Sequence, residues 1–119
     1  MITGIGTDIV EIARFEQIEA RSGIQRLAKK LLTQEEISAL TKTSIISPAK
    51  LAKRFAAKEA ISKAFGTGIG AKLAFHDIEI FNDESGKPTA SIKNRADLKI
   101  HLSISDERTH ALAFAVIES

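Results

Sequence analysis

The chain of 119 residues has no cysteine, no tryptophan and no tyrosine. Without cysteine it forms no disulfide, offers no thiolate to a metal and has no thiol nucleophile, a composition that fits a reducing compartment. Six phenylalanines are the only aromatics. Stacking platforms for single-stranded nucleic acid are therefore poorly supplied, and nucleic acid is not the expected partner. No apolar run approaches membrane-spanning length, and the opening MITGIGTDIV lacks the basic n-region and long apolar stretch of a signal peptide. The expectation is a cytoplasmic protein with no membrane partner.

The length suits one domain, residues 1–119, without repeats, low-complexity stretches or linkers. Hydrophobic residues make up 44% of it, enough for a core that is small for its surface, so oligomerisation would help. The formal net charge is only +2, but it is unevenly spread. Between Arg21 and Lys63 there are ten Lys and Arg against three acids, Glu35, Glu36 and Glu59. These cations either solvate helix faces or form a basic surface for an acidic protein, a nucleic acid or a phosphorylated cofactor.

The stretch SPAKLAKRFAAKEAISKAFGTGIG, residues 47–70, carries both ends of a helix. Ser47 is a suitable N-cap, Pro48 suits the first helical position, and Gly66 supplies a left-handed stop after Phe65. At about 100° per residue, Leu51, Ala52, Phe55 and Ala56 define an apolar arc that also takes in Glu59. A carboxylate on such an arc must be paired, protonated or metal-bound.

Ahead of this helix, residues 2–12 alternate as a strand. Thr3, Ile5, Thr7 and Ile9 lie on one face, and Gly4, Gly6, Asp8 and Val10 on the other. The two glycines leave room beside Asp8 for a ligand or another backbone; alternatively Asp8 caps the next element. Residues 11–21 have helical spacing, as do residues 24–32 after the Ser22-Gly23 break. Thr33-Gln34-Glu35-Glu36 is a capping-box sequence for a third short helix ending at Leu40. Past Phe65, Gly66, Gly68 and Gly70 could present N–H groups to a phosphate, although they follow a helix C-terminus, the wrong dipole end for an anion. Strands are expected at His76–Asn82, Thr89–Lys93, Lys99–Ser105 and Ala111–Ile117. The last is an unbroken apolar run, buried on both faces or set against another subunit. The fold class is α+β: a strand, a set of helices, then a mostly antiparallel sheet.

Asp8 and Glu59, with Lys58 and Lys63 nearby, suit Mg²⁺ and a polyphosphate, since Mg²⁺ takes one or two carboxylates and fills its shell with water and phosphate oxygens. An i, i+4 salt bridge between Glu59 and Lys63 is the structural alternative. On these residues alone, a different Mg²⁺-dependent phosphoryl-transfer or nuclease enzyme, or a basic nucleic-acid module, also stays open.

Three segments in this order, GIGTDIVEI, FAAKEAISKAFGTGIG, and GKP followed by HLSIS, closely resemble the bacterial holo-acyl-carrier-protein synthases, the small 4′-phosphopantetheinyl transferases. The likeness runs from Met1 to Glu118. It implies the fold of that family and transfer of phosphopantetheine from coenzyme A to a serine of acyl carrier protein, releasing 3′,5′-ADP, as a step of fatty acid and lipid biosynthesis. Asp8 and Glu59 would be the Mg²⁺ ligands, Lys63 would assist at the pyrophosphate, and Glu59 or a metal-bound water near it would take the serine proton. Coenzyme A contacts would come from Arg54, Lys58, Ser62, Gly66, Pro88 and Ser105, with the loop after Ile104 near the adenine. Arg14, Arg21 and Arg26 would dock the acidic carrier protein. The family is trimeric, with sites between neighbouring subunits. At position 106, many members carry His where this chain has Asp.

Overall fold

The computed structural model describes residues 1–119. β1 (Ile2–Glu11) leads into α1 (Ile12–Ser22), α2 (Gln25–Leu31), α3 (Gln34–Leu40) and α4 (Pro48–Phe65). A 3-10 turn (Phe75–Asp77) then precedes β2 (Ile78–Asn82), β3 (Pro88–Ile92), β4 (Lys99–Asp106) and β5 (His110–Glu118). The strands form one sheet in the order β1-β5-β4-β3-β2, and every pairing is antiparallel. The α+β reading holds, with no parallel pair in the sheet.

The ends of α4 follow from the local sequence. Ser47 Oγ accepts the Lys50 N–H at 3.1 Å, Pro48 opens the helix, and Gly66 stops it at φ 102°. α3 begins with a complete capping box: Thr33 Oγ1 accepts the Glu36 N–H at 3.1 Å, and Glu36 Oε1 accepts the Thr33 N–H at 2.8 Å.

α4 lies across one face of the sheet and is buried almost all round, with Leu51, Ala52, Ala56, Ala57, Ala60 and Ile61 excluded from solvent. Leu51 and Ile61 each contribute about 1.5–3 kcal/mol by burial. The expected arc is therefore corrected. Phe55 is only half-buried, between the rings of Phe15 and Phe75 at 5.6 and 5.9 Å, and the charges that enter the core from this helix are Arg54 and Lys58.

β1 meets α4 backbone to backbone. A Cβ on Gly6 would lie 2.1 Å from the Ala60 carbonyl oxygen, and one on Gly4 would lie 1.8 Å from that of Ala64. The room beside Asp8 is taken by a helix.

Two strand expectations change. His76 and Asp77 belong to the 3-10 turn, because Asp77 Oδ2 accepts the Ala74 N–H at 2.8 Å and closes the backbone before β2 begins. β5 is buried on one face only. Ala111, Ala113, Ala115 and Ile117 pack inward, while Leu112 and Phe114 on the other face are 44% and 42% exposed.

Candidate active site

The Gly6 contact brings Asp8, two residues further along β1 on the same face, to the last turns of α4. Lys63 Nζ donates to Asp8 Oδ1 at 3.0 Å and to the Thr7 carbonyl at 2.9 Å. The i, i+4 pair of Glu59 and Lys63 does not form; the lysine turns to β1 instead. Asp8 Oδ2 is buried and has no hydrogen-bond partner. Glu59 is half-buried and makes no ion pair or side-chain hydrogen bond. Burial, and then the nearby Asp8 charge, push its carboxyl above the usual range, with Lys63 partly offsetting them. The cluster thus holds two neighbouring carboxylates, one buried oxygen without a donor, and a single lysine that is half exposed. That donor set fits a hard divalent cation, which fills the rest of its shell with water and phosphate oxygens. It offers only two carboxylates and no group of three or more metal-ligating side chains, so the protein does not enclose such an ion by itself.

A second polar feature is a cavity of about 270 Å³ on another side of α4. Lys50, Lys53 and Arg54 line it from the helix; Asn82, Gly86 and Pro88 from the β2–β3 hairpin; Ile104 and Asp106 from β4. Arg54 is 8% exposed and donates to the Ile80 carbonyl at 3.1 Å; burial lowers its pKa from the usual value, with Glu36 opposing. Three cations face one carboxylate, Asp106, which lies 4.0 Å from Lys53. Proline, isoleucine and an amide beside cations suit a flat base joined to phosphate. Arg54 and Glu59 are five residues apart, about 140° around the helix, so the carboxylate cluster and the cavity open in different directions.

Of the residues expected at the site, Asp8, Glu59 and Lys63 come together, and Arg54 and Pro88 meet in the cavity. Lys58 lies apart from both features. It is 0% exposed, and its Nζ donates to Glu36 Oε1 at 2.6 Å, to the Leu31 carbonyl at 2.8 Å and to the Phe75 carbonyl at 3.0 Å. All three donors are used inside the core, leaving none for a ligand; burial lowers its pKa, and Glu36 opposes the shift. Ser62 is likewise 0% exposed, with its hydroxyl donating to the Glu59 carbonyl at 2.7 Å. The Gly66, Gly68 and Gly70 N–H groups bond to carbonyls of Ser62, Lys63 and Leu73, so the glycine loop presents none of them to a phosphate. Ser105 pairs with Leu112 on the outer sheet face, opposite to its neighbours Ile104 and Asp106. Arg14, Arg21 and Arg26 are exposed. His101 pairs with Glu118, and His110 lies beside Glu107 in the β4–β5 turn.

Sequence reasoning missed the cavity roles of Lys50, Lys53 and Asn82, and the buried Glu36. Lys50, Lys53 and Arg54 are spaced three and four apart, the interval that puts side chains on one helix face. That spacing was the available signal. Asn82 had none, and the capping box marked Glu36 as a helix cap without marking its burial.

Known proteins share this chain's sequence pattern and fold. Residues 4–115 match the model of the 4′-phosphopantetheinyl transferase superfamily. The holo-[acyl-carrier-protein] synthase of Laribacter hongkongensis is 47% identical, with 99% of each chain covered. The structure of the Neisseria meningitidis holo-[acyl-carrier-protein] synthase aligns with TM-score 0.85 and 40% identity over 100% of both chains. That of the Bacillus anthracis holo-(acyl-carrier-protein) synthase, in complex with CoA (3′,5′-ADP), aligns with TM-score 0.86 and 40% identity, covering 100% of this chain and 98% of the other. The chain belongs to the 4′-phosphopantetheinyl transferase superfamily, and within it to the holo-[acyl-carrier-protein] synthases. It is a transferase, and no helix in it is long and apolar enough to cross a membrane.

Proposed function

We propose that this chain, as one domain spanning residues 1–119, transfers 4′-phosphopantetheine from coenzyme A to a serine hydroxyl of apo acyl carrier protein in the cytoplasm, releasing 3′,5′-ADP. The observation that carries the reading is Asp8, whose Oδ1 is held by Lys63 while its buried Oδ2 lacks any partner beside the raised carboxyl of Glu59. Asp8 and Glu59 would hold Mg²⁺, which when bound supplies charge stabilisation to the pyrophosphate and the departing phosphate. Lys63 orients Asp8 and brings a positive charge to the same place. In the reaction the serine oxygen forms a new bond to the phosphorus bearing the pantetheine, and the bond from that phosphorus to the bridging oxygen breaks. The electron pair leaves with 3′,5′-ADP. Glu59 takes the serine proton as the general base of the cluster.

The nucleotide part of coenzyme A fits the cavity of Lys50, Lys53, Arg54 and Pro88. Carboxylates and cavity do not meet within one chain, which supports a site completed between copies. The outer face of β1 and β5 supports the same reading: Ile5 and Ile9 are each 63% exposed beside Leu112 and Phe114, with Ile9 paired to Leu112 across the strands. A homotrimer joined through this face would shelter that apolar surface. Arg14, Arg21 and Arg26, all exposed, are the proposed contacts for the acidic carrier protein, contributing mainly on-rate and register.

The test is intact-mass spectrometry of purified apo acyl carrier protein incubated with this protein, coenzyme A and Mg²⁺. A gain of one phosphopantetheine is expected, absent with EDTA and absent for Asp8→Asn. No gain from a folded protein with an authentic carrier would overturn the reading.

A further inference from the structure

Both backbone polar groups of Ile80, on the open edge of β2, are held by side chains. The Ile80 N–H donates to Glu36 Oε2 at 2.9 Å, and the Ile80 carbonyl accepts from Arg54 Nη1 at 3.1 Å. Glu36 is 1% exposed, and its other oxygen accepts both Lys58 Nζ at 2.6 Å and the Thr33 N–H at 2.8 Å. The start of α3, the middle of α4 and the edge strand β2 therefore meet on one carboxylate. Stability alone is a weak reason for such an arrangement, because apolar residues of similar volume often replace a buried ion pair without loss. A carboxylate does supply fixed acceptor directions, which apolar packing cannot.

Arg54 joins this hub to the cavity. One of its nitrogens is bound to Ile80, while the remaining guanidinium N–H groups have no partner within the chain and keep access to solvent. A free arginine side chain has large rotamer freedom, and fixing it before a ligand arrives removes part of the ordering cost of binding. The hairpin wall follows from the same residue. Ile80 pairs with Ala90, and two residues on, Asn82 pairs with Pro88; Asn82 and Pro88 both line the cavity.

We propose that Glu36 is a positioning residue for nucleotide binding: by fixing the backbone of Ile80 it orients Arg54 and the β2–β3 hairpin toward the cavity. The inference rests on the reading that this cavity takes the nucleotide part of coenzyme A. Lys58, which makes no ligand contact, completes the device by neutralising Glu36 and fixing its direction.

The test compares KM for coenzyme A with kcat in two double variants that remove the Glu36 and Lys58 charges together. Glu36→Leu with Lys58→Met removes the acceptor for Ile80; KM should rise about tenfold while kcat stays within about twofold. Glu36→Gln with Lys58→Met returns an acceptor and should recover most of the lost affinity. In an Arg54→Ala background the first pair should shift KM no further, because its effect passes through Arg54. A folded Glu36→Leu/Lys58→Met protein with unchanged KM overturns the proposal, as does a shift that adds in full to that of Arg54→Ala. One readout needs no hub variant: saturating the wild-type protein with 3′,5′-ADP should move the Ile80 amide resonance, and Arg54→Ala should abolish that movement. An unmoved Ile80 amide in ligand-bound wild type also overturns it. If the wild-type protein neither binds nor turns over coenzyme A, the transferase reading fails instead.

Discussion

Lys63 and Asp8 are 55 residues apart in sequence and 3.0 Å apart in the structure, and their bond uses only one of the two Asp8 carboxylate oxygens. The other oxygen, buried without a donor, gives the carboxylate cluster its chemical character. A buried acceptor left without a partner costs about 1–3 kcal/mol, more if charged, and a bound cation would remove that cost.

Asp8→Asn should lower the rate of carrier modification by at least about 100-fold, comparable to losing one electrostatic stabiliser at a reacting centre. Mg²⁺ should also raise the Tm of the wild-type protein by binding the folded state alone, by about 2.7 kcal/mol of stability at 100 times its Kd. Thermal scans with and without Mg²⁺ check this. An equal rise in Asp8→Asn would remove Asp8 from the metal site.

Glu59 gives a prediction in pH. Its native pKa is raised by burial and by Asp8, so the folded state holds the proton more tightly than the unfolded chain. Stability is then lost as pH rises from the unfolded carboxylate range through the raised native value, and it stays lost above. Without Mg²⁺ at pH 8, Glu59→Gln should melt at the same temperature as wild type or a few degrees higher, a modest effect because the side chain is half-exposed. The same variant should be inactive. Between pH 4 and 8 the Tm of wild type should fall relative to that of the variant, the other titrating groups being common to both; a lower Tm for the variant at pH 8 would contradict the assigned environment.

Gly6→Ala should damage stability and activity together. Its Cβ would meet the Ala60 carbonyl oxygen at 2.1 Å and the Ala64 nitrogen at 2.7 Å, both backbone atoms that cannot turn aside. A cost of about 3 kcal/mol or more is expected in urea unfolding, at or above the usual range for overpacking. Because the displaced strand carries Asp8, whatever folds should also transfer slowly at saturating coenzyme A.

Phe114→Glu, on the outer face of β5, should yield a folded monomer with little activity, measured by sedimentation velocity and carrier modification. Mixing Asp8→Asn, impaired in the carboxylate cluster, with Arg54→Ala, weakened in the cavity, should then raise activity at low coenzyme A above that of either variant alone on subunit exchange, because a site built between copies regains one intact set of residues. Independent sites within each chain would show no recovery.

Much of this was legible in the sequence, and the boundary follows from the range of the forces involved. Helix ends depend on neighbours a few residues away, so Ser47, Pro48, Gly66 and the Thr33–Glu36 capping box could be read directly from the sequence. Period-2 alternation likewise separated the Gly4, Gly6 and Asp8 face of β1 from the face of Ile5 and Ile9. The pairing of GTDIVEI with KEAISKAFG pointed to two carboxylates acting together. The sequence did not reveal which of two adjacent charges on α4 would enter the core. Lys58 and Glu59 differ by one position, about 100° of rotation. Only the packing of α3 and β2 against the helix put Glu36 within 2.6 Å of Lys58 and left Glu59 half-buried at β1. The antiparallel pairing of the first and last strands, the cavity between α4 and the β2–β3 hairpin, and the Ile80 backbone bound by both Glu36 and Arg54 are long-range in the same sense. Each depends on which surfaces meet, and no local pattern of residues encodes that.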